Sequence, residues 1–139
     1  MKESKFQITG LRLKKFEFNI NEDFNIDKMD GLKIDTKTEI ERFEGNAKIN
    51  LKVNIFEKKE EFIETAPFFI KVVMEGIFEW DITLDDEMLK YLLNSNAPAI
   101  LFSYIRPHIL NITVSAGFPP VILPLMDFTE NEIVNSNEI

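Results

Sequence analysis

From Lys48 to Phe56 apolar and polar residues alternate strictly, with Ile49, Leu51, Val53 and Ile55 set against Lys48, Asn50, Lys52 and Asn54. A period of two marks a strand with one face in a core and the other in water. The same alternation places Leu32, Ile34, Thr36, Thr38 and Ile40 against Lys33, Asp35, Lys37, Glu39 and Glu41, and Glu44-Gly45-Asn46 between the two runs predicts a hairpin turn. Near the N-terminus Phe6 and Ile8 share one parity, Leu11 and Leu13 the other, and Phe16, Phe18 and Ile20 the first again. A bulge near Gly10 would absorb one of these slips. After a polar turn at Lys58-Lys59-Glu60-Glu61, the segment Phe62 to Asp81 reads as the most apolar strand. Phe68, Ile70, Val72, Met74, Phe78 and Trp80 hold one parity while Phe69, Val73 and Ile77 hold the other. Both faces then want cover, and because an antiparallel sheet commonly turns one face to water, the second apolar face predicts another subunit or an apolar partner.

The period changes after Trp80. Leu84-Asp85-Asp86-Glu87 predicts a helix start, since carboxylates satisfy first-turn amides and complement the dipole. A short helix to Asn94 is expected, broken by Asn94-Ser95-Asn96-Ala97-Pro98 and restarted with Asn96 as N-cap and Pro98 in the first turn. The second helix carries Leu101, Tyr104, Ile105, Ile109 and Ile112 at helical spacing, is expected to kink at Pro107, and stops at Gly117. Phe118 to Pro124, with three prolines, should lie extended, and the Asn- and Glu-rich tail after Phe128 is expected to fray. The expected fold class is α+β: one domain over residues 1–139, a four-stranded antiparallel sheet followed by two helices, with an ordered core over about 6–128 and a flexible tail over 129–139.

Composition narrows the function. A chain of 139 residues, 45% hydrophobic and 29% charged, fits one globular domain. Its net charge of −8 opposes nucleic acid and anionic lipid as partners. Cysteine is absent, which removes disulfides, thiolate nucleophiles and thiolate metal sites. Met1 to Lys5 leads into no apolar h-region and no uncharged run approaches the ~20 residues of a membrane span, so a cytoplasmic location is expected. Thirteen Phe against two Tyr and one Trp is more apolar ring than a small core obviously needs. The surplus points to an oligomer interface or an apolar groove, with a Phe-rich core as the alternative.

Catalytic groups are scarce. His108, the one histidine, has apolar neighbours on a predicted helix and no nucleophile motif beside it, so it reads as a helix-surface or core-edge residue. Asp81, Asp85, Asp86 and Glu87 lack the order of a calcium loop and read as helix capping. The five scattered glycines form no phosphate loop. The expectation is a protein that is no enzyme and takes no cofactor and no metal. The charge runs Glu57 to Glu61 and Asp127 to Glu132 read as solvated turn and tail, or as contacts for a basic partner.

The C-terminal third resembles a known family. Asn96-Ala97-Pro98-Ala99-Ile100-Leu101-Phe102-Ser103-Tyr104-Ile105-Arg106, followed by Ala116-Gly117-Phe118-Pro119-Pro120-Val121-Ile122-Leu123-Pro124-Leu125-Met126-Asp127-Phe128, is similar to the Leu-Phe-x-Tyr and Gly-x-Phe-Pro segments of SecB export chaperones. Phe6-Gln7-Ile8, Asn50-Leu51-Lys52-Val53 and Glu75-Gly76-Ile77-Phe78 resemble the family's first, third and fourth strands, so the likeness runs over roughly residues 6 to 128. The resemblance implies a dimer of dimers and an ATP-independent holdase that keeps non-native polypeptides in apolar grooves, in export or in a client-specific role. An interaction adaptor on the same fold, such as an antitoxin-dedicated chaperone, is the alternative, and an apolar small-ligand binder is a third reading. Client contact is expected at Phe24, Phe69, Val73, Ile77, Trp80, Phe118 and Val121, and subunit pairing at Phe16, Phe18, Leu101, Tyr104 and Ile105. Family members dock the SecA motor partly through acidic residues on the first and fourth strands, where this chain has Lys15, Asn19 and Lys71. That departure points away from SecA delivery.

Overall fold

The structure is a computed structural model that describes residues 1–28 and 30–137, Asn137 by its backbone. Among the described residues five strands form one sheet, β1 (Phe6–Ile20), β2 (Ile34–Phe43), β3 (Asn46–Ile55), β4 (Phe68–Trp80) and β5 (Glu132–Asn137), in the order β1-β4-β3-β2-β5. The first four pair antiparallel, and β5 lies parallel on the free edge of β2. The expected four-stranded sheet is corrected to five strands, because residues expected to fray supply β5, with Ile133 packed on the core. Of that expected tail, residues 138 and 139 lie outside the described residues.

β1 resolves the two parity changes. Its register on β4 shifts between Ile8 and Gly10 and again between Leu13 and Lys15. Each bulge adds one residue and restores the face. Phe6, Ile8, Leu11, Leu13, Phe16, Phe18 and Ile20 therefore stand opposite Trp80, Phe78, Gly76, Met74, Val72, Ile70 and Phe68, all on the side that meets the helix. The bulge near Gly10 is the expected one; the second, at Lys14, cancels the other slip. β4 begins at Phe68, six residues later than the apolar run suggests, because Pro67 cannot donate to a ladder.

The outer face of the sheet is less bare than the apolar pattern of β4 suggests. On β4 it carries Phe69, Val73 and Ile77, but the flanking strands present Lys15 and Lys52 beside Val73 and Lys48 beside Ile77. Lysine stems cover apolar neighbours while their ammonium groups reach water. Val73 is thereby buried within the chain, while Phe69 and Ile77 stay half-buried. Between them the buried Glu75 pairs with Arg12 at 3.1 Å and Lys14 at 3.4 Å.

The helical region is one nearly continuous rod rather than two broken helices. α1 (Asp86–Tyr91) is capped by Asp85, whose carboxylate accepts from Met88 N–H at 2.8 Å. A π-helical turn, Leu92–Asn96, leads directly into α2 (Ala97–Ser115). Asn96 has helical angles and makes no side-chain capping bond, so its expected N-cap role is corrected. Pro98 explains the turn: the Asn94 carbonyl would take its α-helical bond from residue 98, which has no N–H to give. Leu101, Ile105 and Ile109 point into the sheet and are fully buried. α2 ends at Gly117, φ +87, where Phe118 N–H bonds the Thr113 carbonyl at 2.9 Å and Gly117 N–H the Val114 carbonyl at 3.1 Å. Those two bonds satisfy carbonyls that a helix end leaves open.

From there the chain returns extended along the helix. Arg106 Nε donates to the Leu123 carbonyl at 2.9 Å and Val121 N–H to Thr113 Oγ1 at 3.1 Å, while Phe128 packs edge-on against Phe102. The return brings the chain to the edge of β2, where β5 begins.

Candidate functional site

Trp80 ends β4 on the helix-facing side, where its ring stacks on Phe6 and lies 5.7 Å below the Arg42 guanidinium. Beside it the sheet and α1 diverge. The gap is a groove of about 970 Å³. Ile40, Arg42, Phe43 and Gly45 of the β2–β3 hairpin form one wall, and Ile82, Leu84, Leu89, Leu93 and Asn94 the other. Two-residue hairpin geometry, with Gly45 at φ +78, sets the first wall. The i, i+4 pair Leu89 and Leu93 sets the second, and both side chains are buried. Glu44, Asp86 and Lys90 rim the opening. Aromatic and aliphatic walls under a charged rim suit an extended apolar segment with polar neighbours.

A smaller hollow of about 230 Å³ lies at the opposite end of the sheet, lined by Glu17, Asn19, Asn54, Phe56, Phe69 and Lys71 among others. It contains three of the residues singled out from sequence: Phe69, Asn19 and Lys71. Lys15, which pairs with Glu17 at 3.2 Å, shares the outer face with them.

The expected client-contact residues are spread over the molecule. Trp80 lines the large groove and Phe69 the small hollow. Val73 and Ile77 lie on the outer face of β4. Phe118 packs edge-on against Phe18 and Phe68, Val121 packs beside the same core, and Phe24 is half-buried in the β1–β2 connection. The groove residues that sequence reasoning missed are Ile40, Phe43, Leu84, Leu89 and Leu93. The Leu89 and Leu93 spacing was a usable signal; the placing of α1 across from the hairpin was not.

The expected pairing residues divide. Leu101 and Ile105 are wholly inside the subunit's own core, so they are corrected from surface to core. Tyr104 is 44% exposed. It lies one turn before His108, whose ring meets Phe16 of β1, so both belong to the helix stripe above that strand. Leu11 and Leu13, on the same side of β1, are also exposed, and β1 is the outermost strand with fifteen residues.

Among the described residues four groups have a displaced pKa, all on the surface. Asp81 and Asp127 are lowered, chiefly by the backbone N–H of Thr83 and Thr129 and then by the hydroxyls of the same threonines. Asp30 is lowered by the Gly31 N–H and by Lys33, and Lys59 is raised by its bond to Glu57. None of the four lines the groove. Among the described residues no helix is long and apolar enough to cross a membrane.

The family model described as preprotein translocase subunit SecB matches residues 2–131. Protein-export protein SecB of Anaplasma phagocytophilum is 40% identical over 84 residues, covering 58% of this chain and 51% of that protein. Its namesake in Orientia tsutsugamushi strain Boryong is 31% identical over 113 residues, covering 81% of this chain and 66% of that protein. An uncharacterised protein of Methanocaldococcus jannaschii is 35% identical over 115 residues, covering 81% of this chain and 72% of its own. The chain spans about half the length of the first of these curated relatives. Among solved structures, the Mycobacterium tuberculosis SecB-like chaperone in complex with a ChAD peptide from an antitoxin superposes with a TM-score of 0.64 at 14% identity, over 88% of this chain and 91% of that one. That likeness is one of fold.

Proposed function

Since the chain belongs to the SecB family, we propose that it is an ATP-independent holdase for non-native polypeptides, not an enzyme, acting in the cytoplasm. The observation that carries this reading is the groove between Trp80 and α1, open, aromatic at its floor and rimmed by charge. Such a surface gives large contact area without demanding one sequence. Client contact is centred there on Trp80 and extends to Phe69 in the smaller hollow. Phe24, Ile77, Phe118 and Val121 supply further half-buried apolar surface, while Val73 is left out because its neighbours cover it.

Assembly follows from the opposite edge. A long unpaired edge strand invites pairing with another chain. Leu11, Leu13 and Tyr104 place exposed apolar surface beside it, with Phe16 and Phe18 half-buried behind. The proposal is a dimer through β1 and α2, doubled into a tetramer.

Delivery to SecA is not part of the proposal. Lys15, Asn19 and Lys71 share the outer face of β1 and β4, where an acidic patch would be needed. That face favours a second reading, a chaperone dedicated to one client such as an antitoxin segment, the kind of ligand carried by the M. tuberculosis protein of the same fold.

The deciding experiment is light scattering from a chemically denatured client diluted into buffer with and without stoichiometric protein. Suppressed aggregation without nucleotide supports the holdase; an unchanged trace overturns it. A peptide array then separates the readings, with broad aromatic and basic binding for the general holdase and a single hit for the dedicated one.

A further inference from the structure

β5 is weakly held. It is the one parallel strand among the described residues, and its ladder on β2 slips between Ile40 and Glu41. Parallel pairing is slightly less stable per residue than antiparallel. Ile133 packs against the core and Ser136 Oγ donates one long bond, 3.3 Å, to the Ile40 carbonyl, whereas the side chains of Glu132, Val134 and Asn135 are exposed. Few buried apolar contacts and an exposed ladder place a segment at the low end of local stability.

β5 also mismatches its seat. Thr38 and Ile40, both buried, stand opposite Ile133 and Asn135, so Asn135 projects to the helix side and lines the groove beside Ile40, Leu93 and Trp80. An amide sits where an aliphatic or aromatic side chain would remove apolar surface from water. The chain just before β5 is fixed on its own account: Asn131 accepts from Thr38 Oγ1 at 2.7 Å and donates to the Asn94 carbonyl at 3.1 Å. β5 can therefore leave without unseating the return segment.

We infer that the edge of β2 is a strand-addition site for an extended segment of non-native polypeptide, and that β5 is a poorly matched occupant which such a segment displaces. The inference rests on the holdase reading and names where the client's backbone goes. Main-chain bonds to β2 accept any sequence, and alternate side chains entering the groove select for apolar residues at every second position.

The test uses full-length protein and fluorescently labelled, reduced and carboxymethylated α-lactalbumin, a permanently unfolded client, with affinity read by anisotropy. Asn135→Leu fills the seat and is expected to weaken client binding about fivefold or more, because the client must now displace a better occupant. Ile133→Asp loosens β5 and is expected to tighten binding about threefold or more, with faster amide exchange across residues 132–137. Equal affinity in the wild type and Asn135→Leu overturns strand addition and leaves the holdase reading standing. Absence of binding in the wild type and both variants overturns both. If Ile133→Asp fails to fold, Asn135→Leu decides alone.

Discussion

Leu101 of α2 rests on the bare backbone of Gly76 in β4: a Cβ at Gly76 would stand 2.8 Å from Leu101 Cδ2 and 2.7 Å from Phe78 Cε2. Both neighbours are fully buried, so neither can swing aside. The missing side chain is what lets α2 approach the sheet. Gly76→Ala is expected to lower stability by about 1–3 kcal/mol through overpacking. The urea midpoint should fall with an unchanged slope, and an unmoved midpoint would sink the idea.

Asn131 joins β2 to the π-helical turn. Its amide bridges Thr38 Oγ1, on a residue with no exposed surface, and the Asn94 carbonyl, whose α-helical donor position is taken by Pro98. Asn131→Ala strips partners from both and is expected to cost about 1–3 kcal/mol. In a double-mutant cycle with Thr38→Val the two losses should not add, because removing both partners is cheaper than removing one. Strict additivity would refute the coupling.

Asp81 accepts from the N–H and the hydroxyl of Thr83, at 2.8 and 2.7 Å, and these bonds favour its charged form. Its folded pKa lies below the ordinary 3.8, so its stabilisation is fully present above 3.8 and fades as the pH falls through the folded value. Asp81→Asn keeps an acceptor and loses the charge. It should be less stable than the wild type at neutral pH, and the two urea midpoints should converge well below pH 3.8. A difference that persists in strong acid would mean that the charge is not the cause.

Tyr104 and Leu13 are both exposed on the helix side of the sheet, beside the free β1 edge. A carboxylate at either place would have to be desolvated in any interface that covers that edge. Tyr104→Asp is expected to reduce the molar mass measured by light scattering to that of a smaller assembly, and an unchanged mass refutes this interface.

Trp80 is the large aromatic in the groove, and such residues dominate many binding surfaces with losses of about 2 kcal/mol or more on truncation. Trp80→Ala is accordingly expected to weaken affinity for an unfolded client by about 30-fold. A circular dichroism spectrum and urea midpoint serve as controls, since Trp80 also stacks on Phe6. Unaltered affinity in a folded variant would move the client elsewhere.

Local pattern settled a great deal. The alternation from Lys48 to Ile55 is β3, Gly45 is the hairpin turn, Asp85 caps α1 and Gly117 ends α2, because each depends on chemistry within a few residues. The family was legible too, through Asn96 to Arg106 and Ala116 to Phe128. Long-range balance was beyond reach of that pattern. Whether Val73 lies bare or covered depends on Lys15 and Lys52 arriving from two other strands. Whether residues after Phe128 fray or pair depends on an open β2 edge and on Asn131 finding Thr38 and Asn94 across the fold. The groove likewise exists only because α1 and the β2–β3 hairpin diverge at Trp80. Periodicity along a chain fixes which side of an element is apolar; only the packed arrangement decides what, if anything, covers it.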